Sequence, residues 1–383
     1  VLVGSLTRRA EPYANWKRGE KLLASAEYLR LTGDASYAAQ VTPTLRRYVE
    51  ALGAQLGDGL LDRERYSSDI ADQVYGLHAQ AVVWQSLRAI AADWPDRALA
   101  ARSRALAARL EPGLRRAVAR SQRRLPDGSL FLPVRLLDRE PAYEHLTDSR
   151  SGSYWNLVAP YALASGLFAP GSAQARGALA YLERHGSRLL GLVRAGAFAV
   201  YGPKPPFPVS GTDQVYGINV SRFLADNGEA DQLVLSLYGQ LAAGMTPGTF
   251  VAGEGASVAP LHGLAYRAMY LPPNSTSNGA FLETLRLMLV HETASGLELG
   301  FSTPRAWLAP GKRIAVEELP TSFGPLSYSL TAGASSVAVS LDVPPRARTL
   351  RLRLRLPHAT RTLDLSGRHG HVELRVGVGR GNP

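Results

Sequence analysis

From about residue 15 to residue 292, apolar positions recur with the three-to-four spacing of helices that bury one face. Asn15 to Leu31 carries Trp16, Leu22, Leu23, Tyr28 and Leu31 on one broad face, and Gly33-Asp34 ends it. A second helix is predicted to about Leu52, and a third from Asp69 to Trp94. A fourth follows from Pro95, an accepted first-turn proline, to about Arg123. After the turn Pro126-Asp127-Gly128 and a short strand over Ser129–Val134, the spacing predicts further helices. These span Ser149–Leu167, Ser172–Arg184, Asp213–Leu224, Glu229–Ala243, Ser257–Met269 and Thr276–Glu292. Short connections make neighbouring helices antiparallel, which gives about five hairpins. A closed toroid of such hairpins has six, so a missing N-terminal piece is expected, and a chain that opens on Val1 fits that expectation.

Near Gly296 the period changes from helical to alternating. Strands are predicted at Leu297–Leu299, Arg305–Leu308, Ile314–Leu319, Leu326–Leu330, Val337–Val343, Thr349–Leu356, Leu363–Leu365 and Val372–Val376. Thr349–Leu356 is the clearest: Leu350, Leu352, Leu354 and Leu356 alternate with Arg351, Arg353 and Arg355, one buried face against one wet face. The fold class is therefore mainly α plus β. A helical (α/α) toroid of five to six hairpins over 1–294 precedes an antiparallel β-sandwich over 295–383.

Composition narrows the function classes. No run is apolar enough to span a membrane. With no cysteine, disulfides and thiolate metal sites are excluded. The compartment stays open, an exported or cell-envelope location being the expectation. The formal net charge is +11, carried almost wholly by arginine; Lys17, Lys21, Lys204 and Lys312 are the only lysines. Residues 296–383 carry +6 of that charge and the rest +5, so the excess is not concentrated on the helical part, and an acidic substrate is not specifically indicated. No basic cluster interleaved with aromatics points to nucleic acid.

The segment Asp72-Gln-Val-Tyr-Gly76 recurs as Asp213-Gln-Val-Tyr-Gly217, each near a predicted helix start, as equivalent hairpins of a repeat would place it. In a helical toroid, loops at one rim feed the N-termini of the inner helices, where the helix dipole favours carboxylates. Asp69, Asp72, Asp148, Asp213 and Glu254 fall at such points. Each also has a bland role as a cap or first-turn acid. Glycoside hydrolysis needs two carboxyl groups, a proton donor and a base or nucleophile, and these five supply candidates. Glu254 stands among small residues in Gly253-Glu254-Gly255-Ala256-Ser257, with no nearby cation in sequence. Asp148 precedes Arg150, Tyr154, Trp155 and Asn156, which offer stacking faces and hydrogen bonds for sugar rings. Thr212 is expected to cap the next inner helix and leave Asp213 in its first turn, behind the proline-rich stretch Tyr201–Pro208. No histidine pair has metal-ligand spacing except His369-Gly-His371, read as a turn, so neither a metal nor a cofactor is expected.

The segments Tyr154-Trp155-Asn156-Leu157, Gly211–Gly217 and Gly253–Ser257, together with Pro320-Thr321-Ser-Phe323-Gly324 in the sandwich, resemble bacterial (α/α)6-barrel glycoside hydrolases of the α-L-rhamnosidase-like clan. That resemblance implies acid and base at the inner-helix N-termini, the base late in the barrel. Glu254 is then the late carboxylate, with Asp148 or Asp213 as its partner. The expected catalytic set is Glu254, Asp213, Asp148 and Asp69. The expected sugar contacts are Asp72, Arg150, Tyr154, Trp155, Tyr216 and Tyr75, and a carbohydrate is the expected partner, with the oligomeric state open. Two rivals remain. A polysaccharide lyase acting on a uronic-acid polymer would use Arg150, Tyr154 and His262; a glycan-binding protein would show no turnover.

Overall fold

The computed structural model describes residues 14–196, 210–261 and 264–377. Among them are nine α-helices: α1 (Ala14–Thr32), α2 (Ala35–Ala54), α3 (Leu77–Asp93), α4 (Arg97–Ser121), α5 (Arg150–Leu163), α6 (Ala173–Arg184), α7 (Gly217–Asp226), α8 (Ala230–Gly239) and α9 (Ser275–Leu289). The odd-numbered helices pack side by side in chain order, α1 on α3, α3 on α5, α5 on α7 and α7 on α9. The even-numbered helices flank them, α2 against α1 and α4, and α8 against α7 and α9. The inner row is the more deeply buried: α3 hides twelve of its residues, from Leu77 to Ile90, and α5 hides eleven. Such helices are apolar on most sides because neighbours cover them on most sides. Glu27 on α1 feels the charges of Arg222 on α7 and Glu283 on α9, so the first and last inner helices approach one another across the array.

Local chemistry sets the helix starts. Asp34, Asp96, Ser149, Ser172 and Asn274 each accept the backbone N–H three residues on, at 2.7–3.1 Å, and so cap α2, α4, α5, α6 and α9. Helix α1 is capped from a distance: the Glu64 carboxylate accepts the N–H groups of Asn15 at 2.7 Å and Trp16 at 3.0 Å. Its burial raises the Glu64 carboxyl to about 7 despite those bonds.

Several predicted elements come out differently, among them the helix predicted from Asp213, which starts at Gly217 after the strand Ser210–Asp213. Ser257–Met269 is an antiparallel hairpin, Gly255–Leu261 on Leu264–Tyr270, and not a helix. Pro260 would have broken a helix there; in the hairpin it lies past Ser210↔Val258, the last pair with the neighbouring strand among the described residues, where proline is tolerated. The third helix starts at Leu77 and not at Asp69, because Gln73–Gly76 pairs with Glu64–Arg65 and with Arg135–Leu136. Arg305–Leu308 is a 3₁₀ turn and not a strand.

Five short strands form one antiparallel sheet in the order Leu264–Tyr270, Gly255–Leu261, Ser210–Asp213, Leu192–Ala195, Arg188–Leu189. Asn156 on α5 anchors it by donating to the carbonyls of Ser187 (2.7 Å) and Arg194 (2.8 Å).

The C-terminal part holds two four-stranded sheets. One orders Val290–Glu292, Gly296–Leu299, Thr349–Arg355 and Thr360–Asp364; the other orders Arg313–Leu319, Leu326–Ala332, Ser336–Asp342 and His371–Gly377. Leu297, Leu350, Leu352 and Leu354 from the first meet Tyr328, Leu330, Val339 and Leu341 from the second in one core. The leucine–arginine alternation is the cause: the leucines turn inward, and of the arginines expected on a wet face Arg351 is exposed and Arg353 half-buried, while Arg355 is buried where it pairs with Asp231 of α8.

Candidate active site

The sequence repeat marks one rim of the helical array. Asp72–Gly76 leads into inner helix α3 and Asp213–Gly217 into inner helix α7. The connections before α3, α5 and α7 therefore end at the same side, where the helix N-termini present partial positive charge.

Glu254 sits on this rim, partly buried, at the head of the strand Gly255–Leu261 and not at a helix start. Its N–H donates to the Tyr270 carbonyl at 2.9 Å, and its carbonyl accepts the Gln214 N–H at 3.0 Å. Both bonds hold its backbone between two strands. A side chain at Gly253 would come within 2.7 Å of that same Tyr270 carbonyl, so the glycine allows the close passage of the strand. Burial, and next the charge of Asp69, raise the Glu254 carboxyl above the ordinary glutamate range.

Asp69 is exposed on the loop before α3, and α5 clamps it. The Tyr154 hydroxyl donates to Asp69 Oδ2 at 2.9 Å, and Arg150 Nη2 donates to the Asp69 carbonyl at 2.9 Å. The Ser67 hydroxyl accepts the N–H groups of Asp69 and Ile70. Burial and the neighbouring Asp69 push the Tyr154 phenol up to about 12, so it is a proton donor in hydrogen bonds and a poor base. Neither Glu254 nor Asp69 forms an ion pair among the described residues.

Asp213 is buried, and its Oδ1 accepts the Tyr216 N–H at 2.9 Å; Asp213, rather than Thr212, organises the start of α7. The Thr212 hydroxyl donates instead to the Ala256 carbonyl. Tyr216 is held above its usual range by burial and then by Asp213, Glu20, Glu254 and Asp69. One phenol thus reports four carboxylates around a common space. Glu20, which forms a 2.8 Å ion pair with Lys17, had no distinguishing signal in sequence, since a Lys and a Glu three apart on a helix read as a solvated pair.

The other expected site residues have different partners. Asp148 is exposed and leaves the cap of α5 to Ser149. Asp72 pairs with Arg135 at 2.6 Å. Tyr75 lies under the Arg63 guanidinium, 4.5 Å from its ring centre. Trp155 is a correction: its ring is 2% exposed, stacks on Phe131, meets Tyr181 edge-on and donates to the Leu132 carbonyl, so it fills the core and offers no face to a sugar. His262 and Tyr201–Pro208 fall outside the described residues. No group of three or more His, Asp or Glu side chains among the described residues is arranged to hold a metal ion. No described helix is long and apolar enough to cross a membrane.

The opposite end of the inner helices has a different character. A cavity of about 440 Å³ there is lined by Glu27, Arg222, Asp226, Glu283, Arg286 and His291, among others. Arg222 pairs with Glu283, Arg286 with Glu292, and His291 with Asp226 at 3.1 Å. His291 is held by a strand, Val290–Glu292, and not by the end of a helix as its sequence position suggests.

No protein-family model matches the chain, and no curated protein matches it in sequence. Solved structures do resemble it. An α-L-rhamnosidase of Streptomyces avermitilis, solved with L-rhamnose, overlays 95% of this chain at a TM-score of 0.50 and 13% identity. A GH78 family rhamnosidase of Bacillus sp. GL1 overlays 90% at 0.51 and 14%. A structure described as a glycosidase overlays 72% at 0.48 and 15%. The chain spans 32% and 33% of the two rhamnosidases and 66% of the glycosidase. At these identities the likeness is one of fold, and the fold is glycoside-hydrolase-like.

Proposed function

We propose that this chain hydrolyses glycosidic bonds on a helical (α/α) toroid followed by a β-sandwich, with Glu254 and Asp69 as its working carboxyl groups. The observation that carries the reading is the coupling of these two groups. Glu254 is partly buried, faces the charge of Asp69 and holds its proton to higher pH than a free glutamate. A carboxyl group that holds its proton to higher pH, next to a second carboxyl group, suits acid-assisted cleavage of an acetal. Glu254 donates the proton to the leaving oxygen. Asp69, steadied by Tyr154 and Arg150, supplies the negative charge, as base toward water or as nucleophile. This pairing takes Asp69 in place of the partners expected from sequence because it is the Asp69 charge that acts on Glu254, while Asp213 is engaged with the start of α7.

The rhamnosidase folds make α-L-rhamnosides the first substrates to try, followed by other aryl glycosides. The test is to incubate the protein with these glycosides and with uronic-acid polymers. New reducing ends without ultraviolet absorbance from a carbon–carbon double bond support hydrolysis. Unsaturated products would identify a lyase, and retention of every glycan unchanged would identify a binding protein.

A further inference from the structure

The cavity of about 440 Å³ at the far end of the inner helices draws side chains from α1, α3, α7 and α9: Glu27, Gln85, Arg222 and Glu283. It adjoins a cleft of about 900 Å³ between the helical array and the sandwich, and Arg30, Leu31 and Ser322 line both. One wall of the cleft is the turn Pro320-Thr321-Ser322-Phe323-Gly324, a segment of the sequence resemblance for which the hydrolase reading has no use. Thr321 and Gly324 exchange backbone hydrogen bonds at 3.2 and 3.1 Å, and the Ser322 N–H donates to Glu292 Oε2 at 3.1 Å, so the turn is fixed against the cavity. Phe323, half-buried, lines the cleft.

The cations here are all matched. Arg222 pairs with Glu283, Arg286 with Glu292, His291 with Asp226, and Arg30 with Asp93. Glu27 is the acid left over. Among the described residues its side chain has no hydrogen bond and no ion pair, and the Gln85 amide and Ser322 hydroxyl have no hydrogen bond. Burial is the largest influence on the Glu27 carboxyl and raises it, so it holds a proton to higher pH and can donate as well as accept. Polar groups in such places are ordinarily hydrogen-bonded. Three groups that can each donate and accept, set among cancelled charges, match a neutral ligand rich in hydroxyls; a charged ligand would upset the balance. The volume of about 440 Å³ falls in the range of small-molecule sites, about 300–1,000 Å³.

We propose that the cavity and its cleft form a second, non-catalytic site for a neutral saccharide, one sugar unit bonding to Glu27, Gln85 and Ser322 and the next stacking on Phe323. The site lies at the opposite end of the inner helices from Glu254 and does not depend on turnover there.

The test titrates the protein calorimetrically with L-rhamnose, D-glucose, D-mannose, maltose and cellobiose at millimolar concentration, and with D-glucuronate and D-glucosamine as charged comparators. At least one neutral sugar is expected to bind, and the charged ones more weakly. Glu27→Leu, which removes the hydrogen-bonding group, should weaken that binding on the order of tenfold, and Glu27→Gln should keep it. Phe323→Ala should weaken the disaccharides about fivefold and spare the monosaccharides. Asp69→Asn, which alters only the Glu254 rim, should leave the binding as it is. The site is overturned if no neutral sugar binds, if the charged sugars bind more tightly, or if Asp69→Asn abolishes the binding while Glu27→Leu and Phe323→Ala keep it. Phe323→Ala, on the sandwich side, decides the matter with the disaccharides if Glu27→Leu does not fold. Because binding is read apart from turnover, a protein that binds these sugars here and cleaves no glycoside would sink the hydrolase reading and leave this site standing.

Discussion

The two ends of the inner helices use the same residue types to opposite effect. At the end with the 440 Å³ cavity, Arg222, Arg286 and His291 are each matched to an acid, and the charges cancel in place. At the rim with Glu254, the charges of Asp213, Glu20, Glu254 and Asp69 all reach Tyr216; Glu20 pairs with Lys17, and among the described residues neither Glu254 nor Asp69 forms an ion pair. A fold does not gain stability from uncompensated carboxylates near one another, because each raises the cost of ionising the next. Paired charge ties the helices together at one end; the other end is the one to which the hydrolase proposal assigns the chemistry.

Substitutions sharpen this contrast in order of size. Trp155 and Tyr154 are neighbours on α5, one packed in the core and the other bonded to Asp69. Trp155→Ala empties a core position and is expected to cost about 3–5 kcal/mol in denaturant unfolding, while KM for any glycoside stays unchanged. A change confined to KM would return Trp155 to the sugar site. Arg222→Ala leaves Glu27 and Glu283 facing one another at the paired end and should cost about 2–3 kcal/mol with kcat/KM retained. Loss of activity with full stability would mean that the two ends are not separate.

His291 gives the paired end a pH signature. Asp226 and Glu298 outweigh its burial and raise it from 6.5 to about 9. Its stabilisation is therefore fully present below pH 6.5 and is lost as pH rises toward 9, about 2 kcal/mol between pH 7 and 9. Melting temperatures across that range should fall in the wild type and flatten in His291→Gln; parallel slopes would exclude the histidine as the cause. The smallest effect belongs to Tyr154→Phe. It removes one hydrogen bond to Asp69 and should lower kcat about tenfold with little change in stability.

Much of the fold was legible in the sequence because burial on one face imposes a period. The predicted Asn15–Leu31 helix is α1, and the Thr349–Leu356 alternation is a strand with its leucines inward. The rim was not legible. Gln73–Gly76 and Gly255–Leu261 are short strands that pair with segments distant in the chain, a pairing that their own residues do not announce when read alone. The site was half legible for the same reason. Glu254 and Asp69 were visible as carboxylates at element boundaries, but only the tertiary fold brings Asp69 within electrostatic reach of Glu254. Tyr154 and Trp155, adjacent and both aromatic, gave one signal for two roles that the turn of α5 divides between rim and core.

The central claim is that Glu254 gives its proton to a leaving oxygen, and leaving groups of different basicity test it most directly. Methyl glycosides need that proton; dinitrophenyl glycosides depart without it. Glu254→Gln, with unchanged melting temperature, is predicted to lose on the order of 10³-fold in kcat/KM on a methyl glycoside and less than about tenfold on the dinitrophenyl glycoside of the same sugar. Equal losses on both substrates, or no loss on either, would contradict the assignment of Glu254 as the acid.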